Sequence, residues 1–219
     1  IWSGDLQAFA VARAAAVVAR SDTPNEGALT SWIERGEELA SSLSARLNGA
    51  CAPLPENWTG RSAKKVVQEH RESAEAVRAS SKGSFQPIIT RAYGGHYFSA
   101  PQAMLLDAFR ASIPLQSNAR KVALAALIGA ASSCSASPGH TAQPFQPTDG
   151  ASKWLLDAWR RAPEHYIKTE WLQAVSVEAK RPGKVFRLDA KQLVEKLDEG
   201  DVVFLDPPYS GVHYSRFYH

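Results

Sequence analysis

The spacing of apolar residues divides the chain into a helical middle and two sheet-like ends. Apolar positions recur at helical spacing through most of the middle. They predict helices at about 6–20, 30–47, 62–81, 99–113, 118–133, 153–161 and 164–179. Short apolar runs predict strands ending near Gly4 and at 185–188, and a buried strand at 202–205. With a helix at 190–197 between the last two, this strand–helix–strand unit is typical of a parallel sheet.

Several local signals refine these boundaries. Thr30 is the predicted N-cap of the second helix, and Ser99 with Gln102 forms a capping-box pattern. The segment 85–98, which contains Gly94-Gly95, resembles a short hairpin or an extended loop. Residues 135–150, rich in Pro and Gly, are predicted to form a long loop.

The order of elements predicts an α/β fold interrupted by a helical insertion. Residues 1–22 and 183–219 contribute the strands, and residues 23–182 form the mostly α-helical insertion. We therefore expect one sheet-containing core and one helical region inserted into it.

Composition excludes several classes of protein. With 44% hydrophobic and 21% charged residues the chain is an ordinary globular sequence, and no apolar run is long enough to predict a membrane span. The net charge is only +3, so a nucleic-acid surface has to come from local clusters of basic residues. Two distant cysteines, Cys51 and Cys134, indicate neither a metal site nor a disulfide framework, and a reducing cytoplasm is the expected compartment.

The run Asp206-Pro207-Pro208-Tyr209 carries the most specific chemical signal. It follows a fully apolar run, and the carboxyl ends of parallel strands are where ligands bind. Methylation of an exocyclic amine needs acceptors for the two amine hydrogens, which aim the nitrogen lone pair at the methyl donor. Asp206 supplies one acceptor and the Pro207 carbonyl the other. Tyr209 offers a face on which an extruded base can stack.

This run resembles the Asp-Pro-Pro-Tyr motif of amino-methyltransferases that act on DNA, most closely the D12-class adenine-N6 enzymes with the alpha order of motifs. Trp2-Ser3-Gly4-Asp5 and Arg187-Leu188-Asp189-Ala190 resemble the two acidic segments of that family that bind S-adenosylmethionine. The stretch Tyr93-Gly94-Gly95-His96-Tyr97-Phe98, followed by Gln102, Leu106, Asp107 and Arg110, is also similar to these methylases.

The resemblance implies a Rossmann-like methyltransferase core and methyl transfer from S-adenosylmethionine to adenine N6 in double-stranded DNA, with base flipping and without a metal. It implies catalysis by Asp206-Pro207-Pro208-Tyr209, cofactor binding by Asp5, Asp189, Ala190 and Asp206, and base contacts from Tyr209, Tyr93 and Tyr97. A prokaryotic or phage-encoded enzyme of a restriction-modification or defence system is expected, with an endonuclease as a possible partner. N4-cytosine methylation and a non-catalytic DNA-binding specificity fragment are the alternatives.

The family's glycine-rich cofactor loop, of the type Phe-x-Gly-x-Gly, does not occur in the sequence. We therefore expect the natural protein to extend beyond both Ile1 and His219, and residues 1–219 alone to bind the cofactor weakly or not at all.

Each candidate residue also has a purely structural interpretation. Asp189 can be the N-cap of the following helix, and Asp5 an exposed acid or a cap. Tyr93 and Tyr97 can be core aromatics, and His96 and His140 structural histidines. Pairs of basic residues such as Lys64-Lys65, Arg120-Lys121, Arg160-Arg161 and Lys180-Arg181 can contact phosphates or simply face solvent.

Overall fold

The structure is a computed structural model that describes residues 1–46, 54, 56, 60–80, 87–139, 143–177 and 179–206. In this part of the chain there are two strands and nine helices. The strands are β1 (Trp2–Gly4) and β2 (Lys184–Phe186). The helices are α1 (Ala8–Val18), α2 (Glu26–Arg46), α3 (Gly60–Ser80), α4 (Ile88–Tyr93), α5 (Ala100–Ala111), α6 (Ser117–Cys134), α7 (Ser152–Trp159), α8 (Pro163–Ser176) and α9 (Ala190–Val194). The predicted mixture of α and β structure, with a helical middle, is confirmed.

Helix α6 forms the centre of the main core. Its many alanines and Gly129 let α1 and α8 approach closely, because small side chains leave little distance between helix axes. Large buried aromatics fill the space beside it: Trp32, Phe109 and Trp171 are almost fully buried. The indole Nε1 of Trp32 donates to the carbonyl of Phe109 at 3.0 Å, which satisfies the polar atom of a buried ring.

A smaller core lies between α3 and α7. Val67 of α3 packs with Leu155, Leu156 and Trp159 of α7. Most of α3 is nonetheless polar and exposed, as its thin apolar content predicts. His70, one of its buried residues, lies edge-on to Trp159.

β1 and β2 pair in parallel, as predicted, with Trp2 opposite Lys184 and Gly4 opposite Phe186. Paired residues of parallel strands point to the same face of a sheet. Leu193 of α9 lies against Gly4 on this face, because a Cβ on Gly4 would lie 2.6 Å from its side chain, whereas Trp2 remains exposed.

Helix α1 covers the other face of the sheet. Val18 of α1 accepts a backbone hydrogen bond from Gly183, whose Cβ position lies 2.6 Å from the Val18 side chain. Ser3 and Val185, which alternate with the residues under α9, are half-buried. The two strands therefore pack on α1, and Leu193 of α9 lies beside Gly4.

Two predictions in the helical middle are wrong. Helix α2 begins at Glu26, because Asn25 Oδ1 accepts from the Ala28 amide at 3.0 Å, and Thr30 lies inside the helix. The predicted hairpin or extended loop at 85–98 contains helix α4, followed by a tight turn in which Gly95 has φ +78°. Residues 81–86 lie outside the described residues.

Helix α4 is stabilised from another part of the chain. The buried carboxylate of Asp107, in α5, accepts the amides of Ile89 (3.0 Å) and Thr90 (2.8 Å) and the Thr90 hydroxyl (2.8 Å). A carboxylate at a helix N-terminus satisfies donors that have no partner inside the helix.

The predicted buried strand at 202–205 is also wrong. Val202 is 99% exposed and Phe204 90%, and no backbone hydrogen bond joins residues 202–205 to any other described residue. Apolar residues become a buried strand only where a neighbouring strand and covering helices are available, and the described residues provide neither at this segment.

The described part of the chain contains no helix that combines the length and the apolar character needed to cross a membrane.

Candidate functional site at the carboxyl edge of the sheet

The parallel pairing of β1 and β2 brings two predicted cofactor residues to one edge. Asp5 follows β1 directly and Asp189 follows β2 after two residues. The Asp5 amide donates to the carbonyl of Phe186 at 3.2 Å, so the pairing continues to the site itself. Carboxyl edges of parallel strands are the usual position of ligands in open α/β sheets.

Each carboxylate is held by its own local backbone. Asp5 Oδ1 accepts the Gln7 amide at 2.7 Å, ahead of α1. Asp189 Oδ1 accepts the Lys191 amide at 2.9 Å, and Gln192 Oε1 accepts the Asp189 amide at 3.3 Å, which completes a capping box on α9. The predicted N-cap at Asp189 is confirmed, and the remaining oxygen of each acid can accept from a ligand hydroxyl or amine.

Ala190 and Asp206 are the other two predicted cofactor-binding residues in the described part of the chain. Ala190 is the exposed first residue of α9, next to Asp189. Asp206 is exposed at the end of the unpaired 202–205 segment, and the structure does not bring it into contact with Asp5 or Asp189. Pro207, Pro208 and Tyr209 lie outside the described residues.

Tyr93 and Tyr97 belong to the surface of the helical core. Their rings meet edge to face with centroids 5.7 Å apart, and both side chains are half-buried against the main core. Burial raises the pKa of Tyr97, and the neighbouring Tyr93 raises it further. Phe98 is buried and is a core residue, whereas the two tyrosines retain exposed surface for a contact. His96 is half-buried, and His140 lies outside the described residues.

Two residues of functional interest were not assigned a role from the sequence. Arg187 follows β2 and donates from Nε to the carbonyl of Leu6 at 3.1 Å, which joins the loops after the two strands. Asp107 supports α4, the helix that ends at Tyr93. The sequence signal for Arg187 was its position in the predicted strand 185–188, two residues before Asp189, whereas the partner of Asp107 could not be predicted from spacing.

Among the described residues, no group of three or more His, Cys, Asp or Glu side chains is arranged to hold a metal ion. Cys134 is a buried free thiol whose pKa is raised to about 12, chiefly by burial, so it is not a nucleophile at neutral pH.

Comparison of the chain with models of protein families, with curated proteins and with solved structures finds no match.

Proposed function

We propose that this chain is part of a DNA methyltransferase that transfers a methyl group from S-adenosylmethionine to adenine N6. The observation that carries the proposal is the common edge of Asp5 and Asp189, reached from opposite ends of the chain through parallel pairing. The Asp-Pro-Pro-Tyr motif follows a third apolar segment that leads out of α9.

The handedness of the connections supports a place for that third segment. Crossovers between parallel strands are almost always right-handed. The crossover from β1 to β2 begins with α1 on one face, and the connection from β2 passes through α9 on the other face. If both connections are right-handed, the chain crosses the sheet in one direction from β1 to β2 and in the opposite direction after β2. A strand at 202–205 would therefore lie on the β1 side.

Residues 202–205 are unpaired here, and if they pair in the complete core that we propose, the strand order would be β2, β1 and then 202–205. In this order Asp206 is at the same edge as Asp5 and Asp189, on the far side of Asp5. A reversal of strand order creates a crevice at the carboxyl ends, which is where such sheets bind their ligands. This placement completes a Rossmann-like core, and it is part of the proposal because residues 202–205 are unpaired in the structure.

This chain supplies the acceptors for the target amine and two acids for the cofactor, and the glycine-rich cofactor loop is expected outside residues 1–219. The cofactor supplies an activated methyl group. Asp5 and Asp189 would accept hydrogen bonds from hydroxyl and amine groups of the cofactor, which are uncharged donors. Asp206 and the Pro207 carbonyl would accept the two hydrogens of the target amine, and Tyr209 would stack on the extruded base.

The unpaired state of residues 202–205 favours a second candidate, a DNA-binding specificity module without catalytic activity. In such a module the helical region contacts DNA and the edge residues do not assemble. Cytosine N4 remains an alternative target within the first proposal, because the same acceptors fit either amine.

Substitution of Asp206 tests the proposal in the natural full-length protein. Asp206→Ala removes one preorganised acceptor, so the single-turnover rate of methylation is expected to fall by about 10²–10³-fold. DNA affinity should change by no more than a few-fold. Asp201→Ala, at the other end of the same segment, is the matched control and should methylate normally.

Identification of the modified base separates the candidates. Base-resolved analysis of plasmid DNA from cells that express the protein gives N6-methyladenine under the main proposal and N4-methylcytosine under its variant. DNA binding without either base identifies the specificity module. An unchanged methylation rate in Asp206→Ala would contradict the assignment of the catalytic acceptor.

Tyr209 provides an independent test of base stacking. Tyr209→Ala is expected to reduce methylation strongly, whereas Tyr209→Phe and Tyr209→Trp keep an aromatic face and should retain much of the rate. If Phe is as damaging as Ala, the hydroxyl group and not the ring face is the important part.

A further inference from the structure

Arg187 has an unusual position for an exposed arginine. It lies directly after β2, at the edge where Asp5 and Asp189 end the two strands. Its Nε donates to the carbonyl of Leu6 at 3.1 Å, in the loop that follows β1. This hydrogen bond joins the two loops and holds the guanidinium group near the edge of the sheet.

The rest of the guanidinium group has no partner among the described residues. No ion pair there includes Arg187, and its only hydrogen bond uses Nε. Among the described residues neither Asp5 nor Asp189 forms an ion pair with Arg187. The two Nη atoms of an exposed, oriented cation are thus available to a ligand.

The chemistry of this group specifies an oxyanion. A guanidinium whose Nε is occupied still offers two Nη donors side by side, which match two oxygens of one phosphate. Such a contact orients a nucleic acid without reading its sequence. The edge on which Arg187 lies is also the edge where a target base has to be presented.

We propose that Arg187 binds a phosphate of the DNA strand that is presented to the carboxyl edge of the sheet, an inference that rests on the proposed function. The cofactor carboxylate is the competing anion. It belongs to the same short amino-acid chain as the sulfonium, which would lie by Asp206, on the far side of β1 in the proposed strand order. Arg187 follows β2, on the opposite side of that strand, so DNA is the better partner.

The salt dependence of DNA binding measures this contact directly. Each phosphate contact contributes about −0.9 to the slope of log K against log salt concentration for duplex DNA. With a mixed-sequence duplex as the probe, Arg187→Gln should make the slope less steep by about 0.9 and weaken binding several-fold at low salt. Arg187→Lys keeps the charge and should keep the slope, with a smaller loss of affinity.

Arg13→Gln is the matched control, because Arg13 is also exposed but lies on α1. It should leave the slope unchanged. Calorimetric titration of the natural full-length protein with S-adenosylmethionine, and thermal unfolding of each variant, complete the set. A purely structural link between the two loops would lower the unfolding temperature without changing the salt slope, and that result overturns the proposal.

Two further outcomes are decisive. Loss of cofactor affinity with an unchanged salt slope assigns Arg187 to the cofactor carboxylate and overturns the DNA contact. A wild-type protein that does not bind the duplex also overturns the DNA contact. If the slope changes as expected but the wild-type protein methylates no base, the phosphate contact stands while the proposed methyl transfer fails.

Discussion

The ammonium group of Lys121, in α6, donates to the carbonyl of Ala19, the C-cap of α1, at 2.6 Å. The adjacent Arg20, only 4% exposed, donates to the carbonyls of Val175 and Val177 at the end of α8. Cations are favourable beside the last carbonyls of a helix, where partial negative charge accumulates. These contacts join α1, which covers the sheet, to the helical core.

Loss of the Arg20 contacts is expected to destabilise the protein. Arg20→Met leaves part-buried carbonyls without a charged donor, and the free energy of unfolding should fall by about 2–3 kcal/mol. Urea denaturation followed by circular dichroism measures the change. Arg13→Met, at an exposed position of α1, should stay within about 0.5 kcal/mol of wild type. Equal effects of the two substitutions would show that the Arg20 contacts are unimportant.

Two helical glycines should respond differently to alanine. A Cβ on Gly36 would overlap the ring of Phe109, which is fully buried and packed against Trp32. Gly36→Ala should destabilise by about 1–3 kcal/mol, despite a gain of about 1 kcal/mol in helix propensity. A Cβ on Gly129 would overlap the Glu170 side chain, which is half-buried and can shift more readily than a fully buried ring. Gly129→Ala should therefore be less destabilising than Gly36→Ala in the same denaturation assay.

The Asp107 carboxylate is expected to be essential for α4. Asp107→Ala leaves the amides of Ile89 and Thr90 without an acceptor. The free energy of unfolding is expected to fall by about 2–4 kcal/mol. Burial raises the pKa of Asp107 above 3.8. The hydrogen bonds from α4 and the positive charge of Arg110 oppose this shift. The carboxyl group is therefore easier to protonate in the folded state, and its contribution to stability rises as pH falls through the folded pKa.

Hydrogen exchange measures the effect of Asp107 on α4 locally. The amides of α4 should lose more protection in Asp107→Ala than those of α6, whose exchange should follow only the change in the global free energy of unfolding. Asp157→Ala, which removes an exposed acid of α7, is the control and should leave exchange in α4 unchanged. Normal protection of α4 in Asp107→Ala would show that the helix does not need its remote cap.

His70 should make stability depend on pH near neutrality. Burial lowers its pKa below 6.5, and the carboxylate of Glu69 offsets part of that shift. The unfolded chain therefore takes up a proton first as pH falls, so stability is complete above pH 6.5 and is lost from there down through the folded pKa. One such group changes the free energy of unfolding by at most about 1.4 kcal/mol per pH unit.

His70→Phe isolates this effect, because phenylalanine keeps an aromatic ring beside Trp159 and does not titrate. The free energy of unfolding of this variant should be less dependent on pH below 6.5 than that of wild type. Glu69→Gln should lower the folded pKa of His70 further, which NMR titration of the imidazole can follow. Parallel stability curves for wild type and His70→Phe would rule out a contribution from His70.

The helices of the middle were predictable because their apolar spacing is local information. So were the caps at Ser99 and Asp189, whose partners lie three residues or fewer away. Helix α4 was missed because its N-terminal amides bind Asp107, at a separation of 17 or 18 residues. The position of Thr30 was misread because Asn25, five residues earlier, already provides the cap.

In the candidate site, too, the local features were predictable from the sequence and the contacts between distant residues were not. Acidic residues after short apolar runs indicated the edge of a parallel sheet, and the pairing of β1 with β2 brings Asp5 and Asp189 to that edge. The apolar run at 202–205 indicated a strand but not its pairing, which depends on a neighbour that spacing does not reveal. The Arg187 contact with Leu6 joins residues 181 positions apart and had no local signal.

The exposed segment 202–205 has a consequence for solubility. Short runs of β-branched and aromatic residues without charge pair readily with copies of themselves when unprotected. In this chain Asp201 and Asp206 flank the run with like charges, and Pro207 cannot donate to a growing ladder. The carboxylate that we propose to hold the target amine thus also acts as an aggregation gatekeeper. Asp206→Ala should accordingly lower the concentration at which the protein precipitates, independently of its effect on methyl transfer.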